Sequence, residues 1–344
     1  MKAALLHGQR DLRLEDLPCP IVGSGEVTIR VGRAGICGSD IHYFSHGRVG
    51  RFVPKRPFVL GHEFAGTIVA VGNGVDKELI GARVTVDPSM PCGRCSYCRS
   101  GRYNLCEDMR FFGSASCDPH VNGGFAEFVS APVANCFRIT DSLSFGEAAM
   151  VEPLSVAVHA VMRCGLVPGK AALVTGGGTI GQLIALVLRA FGARQVVLSD
   201  IGAFPRIVAV AGGADLALDA GDAAFQSKAT EASSGGFDLV FEASGAATAL
   251  EQGLAATRRG ATIVQVGTLP ASVSLPLNEL MARELNLVGS FRFSNVFATA
   301  LGLVESRRID LRPLISGIYP LENVSEAMDR AIAKTETIKV QLEP

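Results

Sequence analysis

Four cysteines fall together as Cys92-x2-Cys95-x2-Cys98-x7-Cys106, in a stretch rich in Gly, Ser and Arg. Thiolates at this spacing wrap a tetrahedral Zn²⁺, and four of them leave no open position for a reactant, so the implied metal is structural. An iron–sulfur cluster uses similar spacing, but no second cysteine group accompanies this one. A second set has a different character: Cys37, followed by Ser39, Asp40 and His42, and then Gly61-His62-Glu63. It offers a thiolate, an imidazole and a carboxylate, and three protein ligands plus one exchangeable position is the pattern of a catalytic zinc that polarises an alcohol oxygen. Taken singly, His62 suits a hydrogen-bonded loop histidine and Cys37 a small buried hydrophobe. Spacing alone does not show that their loops converge.

A third element is Gly176-Gly177-Gly178-Thr179-Ile180-Gly181, which matches Gly-x-Gly-x-x-Gly between the apolar run Ala171–Val174 and the helical pattern Leu183–Ala190. Its glycines permit a tight turn and close backbone approach, so a pyrophosphate can rest on the helix N-terminus. Asp200 ends the next apolar run, 19 residues past Gly181, where a carboxylate binds the adenosine ribose hydroxyls and repels a 2′-phosphate. This favours NAD. Arg206, a few residues on, keeps NADP open, and the bland alternative is a glycine-rich loop beside a capping Asp.

The elements that must position these groups follow from the texture of the chain. Its 344 residues, 48% hydrophobic and 19% charged, make roughly two domains and exclude disorder or collagen-like repetition. With 32 basic and 33 acidic side chains and no long basic block, neither nucleic acid nor an anionic membrane is the expected partner, which also weakens a nucleic-acid zinc ribbon. The apolar run at the amino terminus is too short for a secretory signal, which points to the cytoplasm, where nine cysteines need an explanation other than disulfides. Up to about residue 145, short alternating segments such as Glu26–Val31 and Gly66–Val71 predict a β-rich domain. From Ala148, near-continuous apolar runs alternate with helical stretches, the texture of a parallel, doubly wound α/β sheet. After about residue 285 short strands return, with one amphipathic helix over Glu322–Lys334 and a terminal strand over Ile338–Leu342.

Cys37-Gly-x-Asp40, Gly61-His62-Glu63, the four-cysteine loop and Gly176–Gly181, in this order, resemble the zinc-dependent medium-chain dehydrogenases over the whole chain. The resemblance implies a GroES-like β-rich catalytic domain over 1–147 and 285–344 carrying both zinc sites, and a Rossmann domain over 148–284. It implies Cys37, His62 and Glu63 around the catalytic zinc, with Glu152 a fourth ligand or a partner of the metal-bound water. Ser39 and His42 fit the family's proton relay, their alternative being loop capping. Along the nicotinamide it places Val266, Gly267, Thr268, Phe291 and Arg292, and it implies a homodimer or homotetramer. Thr179 stands where the family usually has Pro, and Pro205-Arg206 replaces the common pattern after Asp200.

Cys37 to Gly50, with Tyr43, His46 and Arg48, resembles the polyol branch, which includes sorbitol, xylitol and idonate dehydrogenases. Polar side chains there suit a hydroxyl-rich substrate, since each sugar hydroxyl taken from water needs a replacement hydrogen bond. Cys106–Ser114 with Pro119–Phe125, and Gly289–Phe293, look closer to the L-idonate 5-dehydrogenases, which implies reversible oxidation of L-idonate to 5-keto-D-gluconate. A sugar acid needs a cation, for which Arg110 and Arg292 are candidates, and Arg292 serves equally as a cofactor contact. Tyr43 and Phe112 complete the expected substrate contacts. Open alternatives are a sorbitol, xylitol or threonine dehydrogenase, and a zinc-stabilised NAD-binding sensor without turnover. The intact Cys37, Ser39, His42, His62 and Glu63 set argues against the sensor, because binding NAD needs none of them.

Overall fold

Residues 1–344 are all described by the computed structural model and form two units, Met1–Glu152 with Phe297–Pro344, and Pro153–Val296. In the first, the strand Glu26–Gly35 is the hub. It pairs antiparallel with Phe128–Pro132 at its start, with Glu63–Val71 along its length, and with Lys339–Glu343 at its end. The register puts Gly35 opposite Glu63 on one side and Gln341 on the other. Only glycine fits, because a Cβ at Gly35 would collide with the Glu63 carboxylate. Val27, Ile29, Phe64, Ile68 and Leu342 from these strands are buried in one continuous core, the apolar alternation that the sequence shows.

The second unit is a six-stranded parallel sheet in the order Leu216–Asp219, Gln195–Asp200, Ala171–Thr175, Phe237–Glu242, Thr257–Gln265, Asn286–Gly289. Ala171–Thr175 and Phe237–Glu242 are wholly buried, as strands covered on both faces must be. The chain changes direction across the sheet between them, and in open α/β sheets that switch point is where ligands dock, outside the carboxyl ends of the strands. The long uncharged run Ala171 to Leu188 is a strand, a turn and most of the helix Thr179–Ala190. No helix is long and apolar enough to cross a membrane.

The domain boundaries are corrected. The return to the first unit comes at Phe297, not 285, and the second unit begins at Pro153, not 148. Asn286–Gly289 reads as a stray short strand because it is the sheet's edge and mostly exposed, yet it pairs in parallel with Thr262–Gln265. The amphipathic helix spans Val324–Ala333, and the terminal strand is Lys339–Glu343.

Candidate active site and dinucleotide loop

The ligand atoms of Cys37, His62 and Glu63 all lie within 4.8 Å of one another. Cys37 caps the helix Gly38–His46, and Glu63 begins the strand Glu63–Val71, with His62 just before it. The fully buried Asp40 ties the two loops together. Its Oδ2 accepts the Cys37 N–H at 2.9 Å, its Oδ1 accepts the Gly61 N–H at 3.3 Å and lies 3.9 Å from Nδ1 of His62. Across the sheet, the Nζ of Lys339 donates to both oxygens of Glu63, at 2.9 and 2.7 Å, and to the carbonyl of Ile36 at 3.0 Å. Lys339 and Glu63 are 2% and 1% exposed, so this is an ion pair inside the core.

Cys37, Asp40, Glu63 and Glu152 are four potential anions in one buried region, facing the Lys339 ammonium and the His62 imidazole. Burial, reinforced by Glu63, pushes the Cys37 thiol up to about 12. Burial also raises Asp40, against the pull of His62, and raises Glu152 well above the carboxylate range. Burial alone would lower Lys339, but Glu63 and Cys37 outweigh it and raise it. The region is short of positive charge, and a divalent cation between a thiol, an imidazole and a carboxylate would supply it. The donor set therefore fits zinc. Glu152 heads the helix Val151–Arg163, buried beside the three ligands but outside their close group.

Ser39 and His42 stand three apart on the helix Gly38–His46 and so share a face. The Ser39 backbone N–H lies near enough to the Cys37 sulfur to favour its thiolate slightly, and burial, with His46 and Lys334, lowers His42. Tyr43 and Phe112 are each 2% exposed, and both belong to the core. The Tyr43 hydroxyl accepts the Ala115 N–H at 3.1 Å, and Phe112 packs edge-on against Phe64. Both side chains also support the segment after Arg110. Arg110 is exposed on the two-stranded ladder with Met90.

Cys92, Cys95, Cys98 and Cys106 bring their sulfurs within 4.8 Å of one another. The Cys92 N–H donates to the Cys106 sulfur at 3.2 Å, and the sulfurs of Cys95 and Cys98 are 3.5 Å apart. The N–H groups of Cys98 and Glu107 pull the Cys95 thiol down to about 6. Four converging sulfurs, served by backbone donors, suit a metal bound entirely by thiolates. A small cluster with Met109 and Phe111 backs them.

In the second unit, Gly176 adopts φ 98°, and a Cβ at Gly181 would strike the carbonyl oxygen of Gly176, so turn and helix meet as the motif requires. Gly178 caps the helix that begins at Thr179 and Ile180. Asp200 accepts the Gly177 N–H at 2.6 Å and the Gly202 N–H at 2.7 Å, which holds it beside the glycine loop. The N–H groups of Val266 and Gly267, which precede Thr268, donate to the carbonyl of Glu242. The Phe291 side chain lies under the Arg292 guanidinium, 5.2 Å from ring centroid to carbon. The buried Glu242 organises this edge: it accepts from Ser244, Gly245 and Gln265, at 2.7, 2.8 and 2.6 Å.

Asp40, Lys339 and Glu242 are the residues that sequence reasoning passes over. Asp40 sits inside a quoted motif, and Lys339 lies in a predicted strand that also carries Gln341 and Glu343, so its charge alone gave no sign of burial.

Comparison with known proteins agrees with this geometry. Residues 23–141 match the family described as "Alcohol dehydrogenase GroES-like domain", and residues 179–306 the family described as "Zinc-binding dehydrogenase". A sorbitol dehydrogenase of Bacillus subtilis (strain 168) is 38% identical over 348 residues, covering 100% of this chain and 97% of its own. An L-idonate 5-dehydrogenase of Vitis vinifera is 37% identical over 349 residues, covering 98% and 93%. The crystal structure of L-idonate 5-dehydrogenase from Escherichia coli superposes with a TM-score of 0.92 at 34% identity, over 100% of this chain and 98% of the other. Matched from end to end in sequence and in fold, the chain belongs to the zinc-dependent medium-chain dehydrogenases, in their polyol branch, and is an oxidoreductase acting on CH–OH groups.

Proposed function

We propose that the chain oxidises a secondary alcohol of a sugar acid, L-idonate to 5-keto-D-gluconate and back, with NAD as the hydride acceptor and two zinc ions, one catalytic and one structural. The observation that carries the chemistry is the convergence of Cys37, His62 and Glu63, with Asp40 and Lys339 fixing their loops. Zinc bound there would supply Lewis-acid polarisation of the alcohol oxygen. The chain's own residues do the rest: Lys339 and Asp40 orient the ligands, Ser39 and His42 carry the alcohol proton towards solvent, and Glu152 adds a buried carboxyl beside the ligands. The glycine loop and Asp200 seat the dinucleotide, with the Asp200 carboxylate favouring a free ribose diol. Identities of 38% and 37% to the sorbitol and idonate enzymes leave the substrate to particular residues, and the exposed Arg110 guanidinium supports a carboxylate-bearing one.

The test is reduction of NAD⁺ and NADP⁺ in parallel on L-idonate, D-gluconate, sorbitol, xylitol and L-threonine, before and after chelation. Turnover of L-idonate that is lost on chelation is the expected result. Preference for sorbitol or xylitol would keep the zinc chemistry and discard the sugar acid, and turnover that survives complete metal removal would discard the mechanism.

A further inference from the structure

Asp200 does not act alone at the adenosine end of the dinucleotide loop. It stands in register with Asp219, the last residue of the neighbouring parallel strand, so two carboxylates face out from adjacent strand ends, the edge where such sheets bind ligands. Arg206, on the helix Ala203–Ala211, reaches back over both. Its Nη1 donates to the carbonyl oxygens of Asp200 and Ile201 at 2.8 and 3.0 Å, and its Nη2 lies 3.0 Å from Oδ2 of Asp219. The other oxygen of Asp219 accepts the Gly221 N–H at 2.9 Å. The carboxylate is therefore anchored by its own turn and holds the guanidinium at a fixed place.

A 2′-phosphate on the adenosine ribose brings about two negative charges and is recognised through a guanidinium that presents N–H groups to it. The guanidinium nearest Asp200 is here turned onto protein acceptors, and its charge is balanced by Asp219. We infer that Asp219 is a specificity-determining residue: by holding Arg206 it closes the ribose end to a 2′-phosphate and leaves it open to a free diol. The role differs from that of Asp200, which meets the ribose directly, because Asp219 acts through Arg206. The inference rests on the proposed dinucleotide reading of the glycine loop.

Calorimetric titration of the full chain with NAD⁺ and with NADP⁺ tests it. Asp219→Asn keeps an acceptor for Gly221 but removes the charge that holds Arg206, and Asp219→Ser is a second variant with the same expectation. The ratio Kd(NADP⁺)/Kd(NAD⁺) falls about fivefold in either variant, and adding Arg206→Met abolishes the gain. An unchanged ratio overturns the inference, and so does a gain that persists without Arg206, which would make Asp219 a simple repelling charge. Binding of neither dinucleotide by the unmodified protein would instead remove the cofactor reading, and this inference with it.

Discussion

The two cysteine-containing donor sets of the first unit are built in opposite ways. The four-cysteine set lies within Cys92–Cys106, and the groups that tune its sulfurs, backbone N–H donors and the other cysteines, come from the same segment. The Cys37 set draws on a helix cap, a strand start and, through Lys339, a strand 276 residues further along the chain. One needs only local chain geometry, while the other exists only when the hub strand holds Glu63–Val71 and Lys339–Glu343 in register. A site assembled across a sheet can bury its charges and sharpen their chemistry, but it depends on every strand that carries a part.

Cys37→Ala should give the largest effect. Turnover falls by about 1,000-fold, and elemental analysis shows one metal lost per chain with the other retained. Loss of both metals would mean that the two sets are not independent. Lys339→Met leaves Glu63 as a buried charge without its partner. Metal affinity at that set weakens by about 10–100-fold, and the metal-free protein loses about 3 kcal/mol of stability by denaturant titration; unchanged metal affinity would show that Glu63 does not need Lys339 to hold its position.

Cys95→Ala addresses the local set. Its metal is lost and the melting temperature falls by about 5 °C or more, while kcat per remaining metal changes by less than about threefold. A collapse of kcat would contradict the separation drawn above.

The smallest effect concerns Glu147, a capping residue that combines local and distant partners. It accepts from Ser144 at 2.7 and 3.0 Å and from Arg307 at 2.6 Å. Burial pushes its carboxyl up, but these donors outweigh it and leave it below its ordinary 4.5. A depressed carboxylate stabilises the fold above its unfolded pKa, and the contribution is lost as pH falls through the folded value. Glu147→Gln should lower stability by about 1 kcal/mol at pH 7, with the difference from the unmodified protein shrinking as pH falls below 4.5 and gone once pH is below the depressed folded value. A difference that stayed constant with pH would assign the loss to packing.

Local signals carried much of the fold. The glycine hexad, the apolar runs of the parallel sheet and the cysteine spacing all work within about fifteen residues, and the structure shows a turn, buried strands and converging sulfurs there. The edge strand Asn286–Gly289 was misassigned because it is short and mostly exposed, so it lacks the long apolar run of the strands buried on both faces. For Tyr43 and Phe112 residue type suggests contact with a ligand, and what the sequence does not reveal is that both side chains are also part of the core.

The sequence by itself therefore determined which groups can bind metal or dinucleotide, because coordination chemistry and turn geometry are properties of residue type and short spacing. Tertiary structure alone decided that Lys339 neutralises Glu63, that Asp40 joins the two ligand loops, and that Asp219 holds Arg206. The physical reason is that charge compensation in a low-dielectric interior depends on distance in space, which sheet register sets and sequence separation does not reveal.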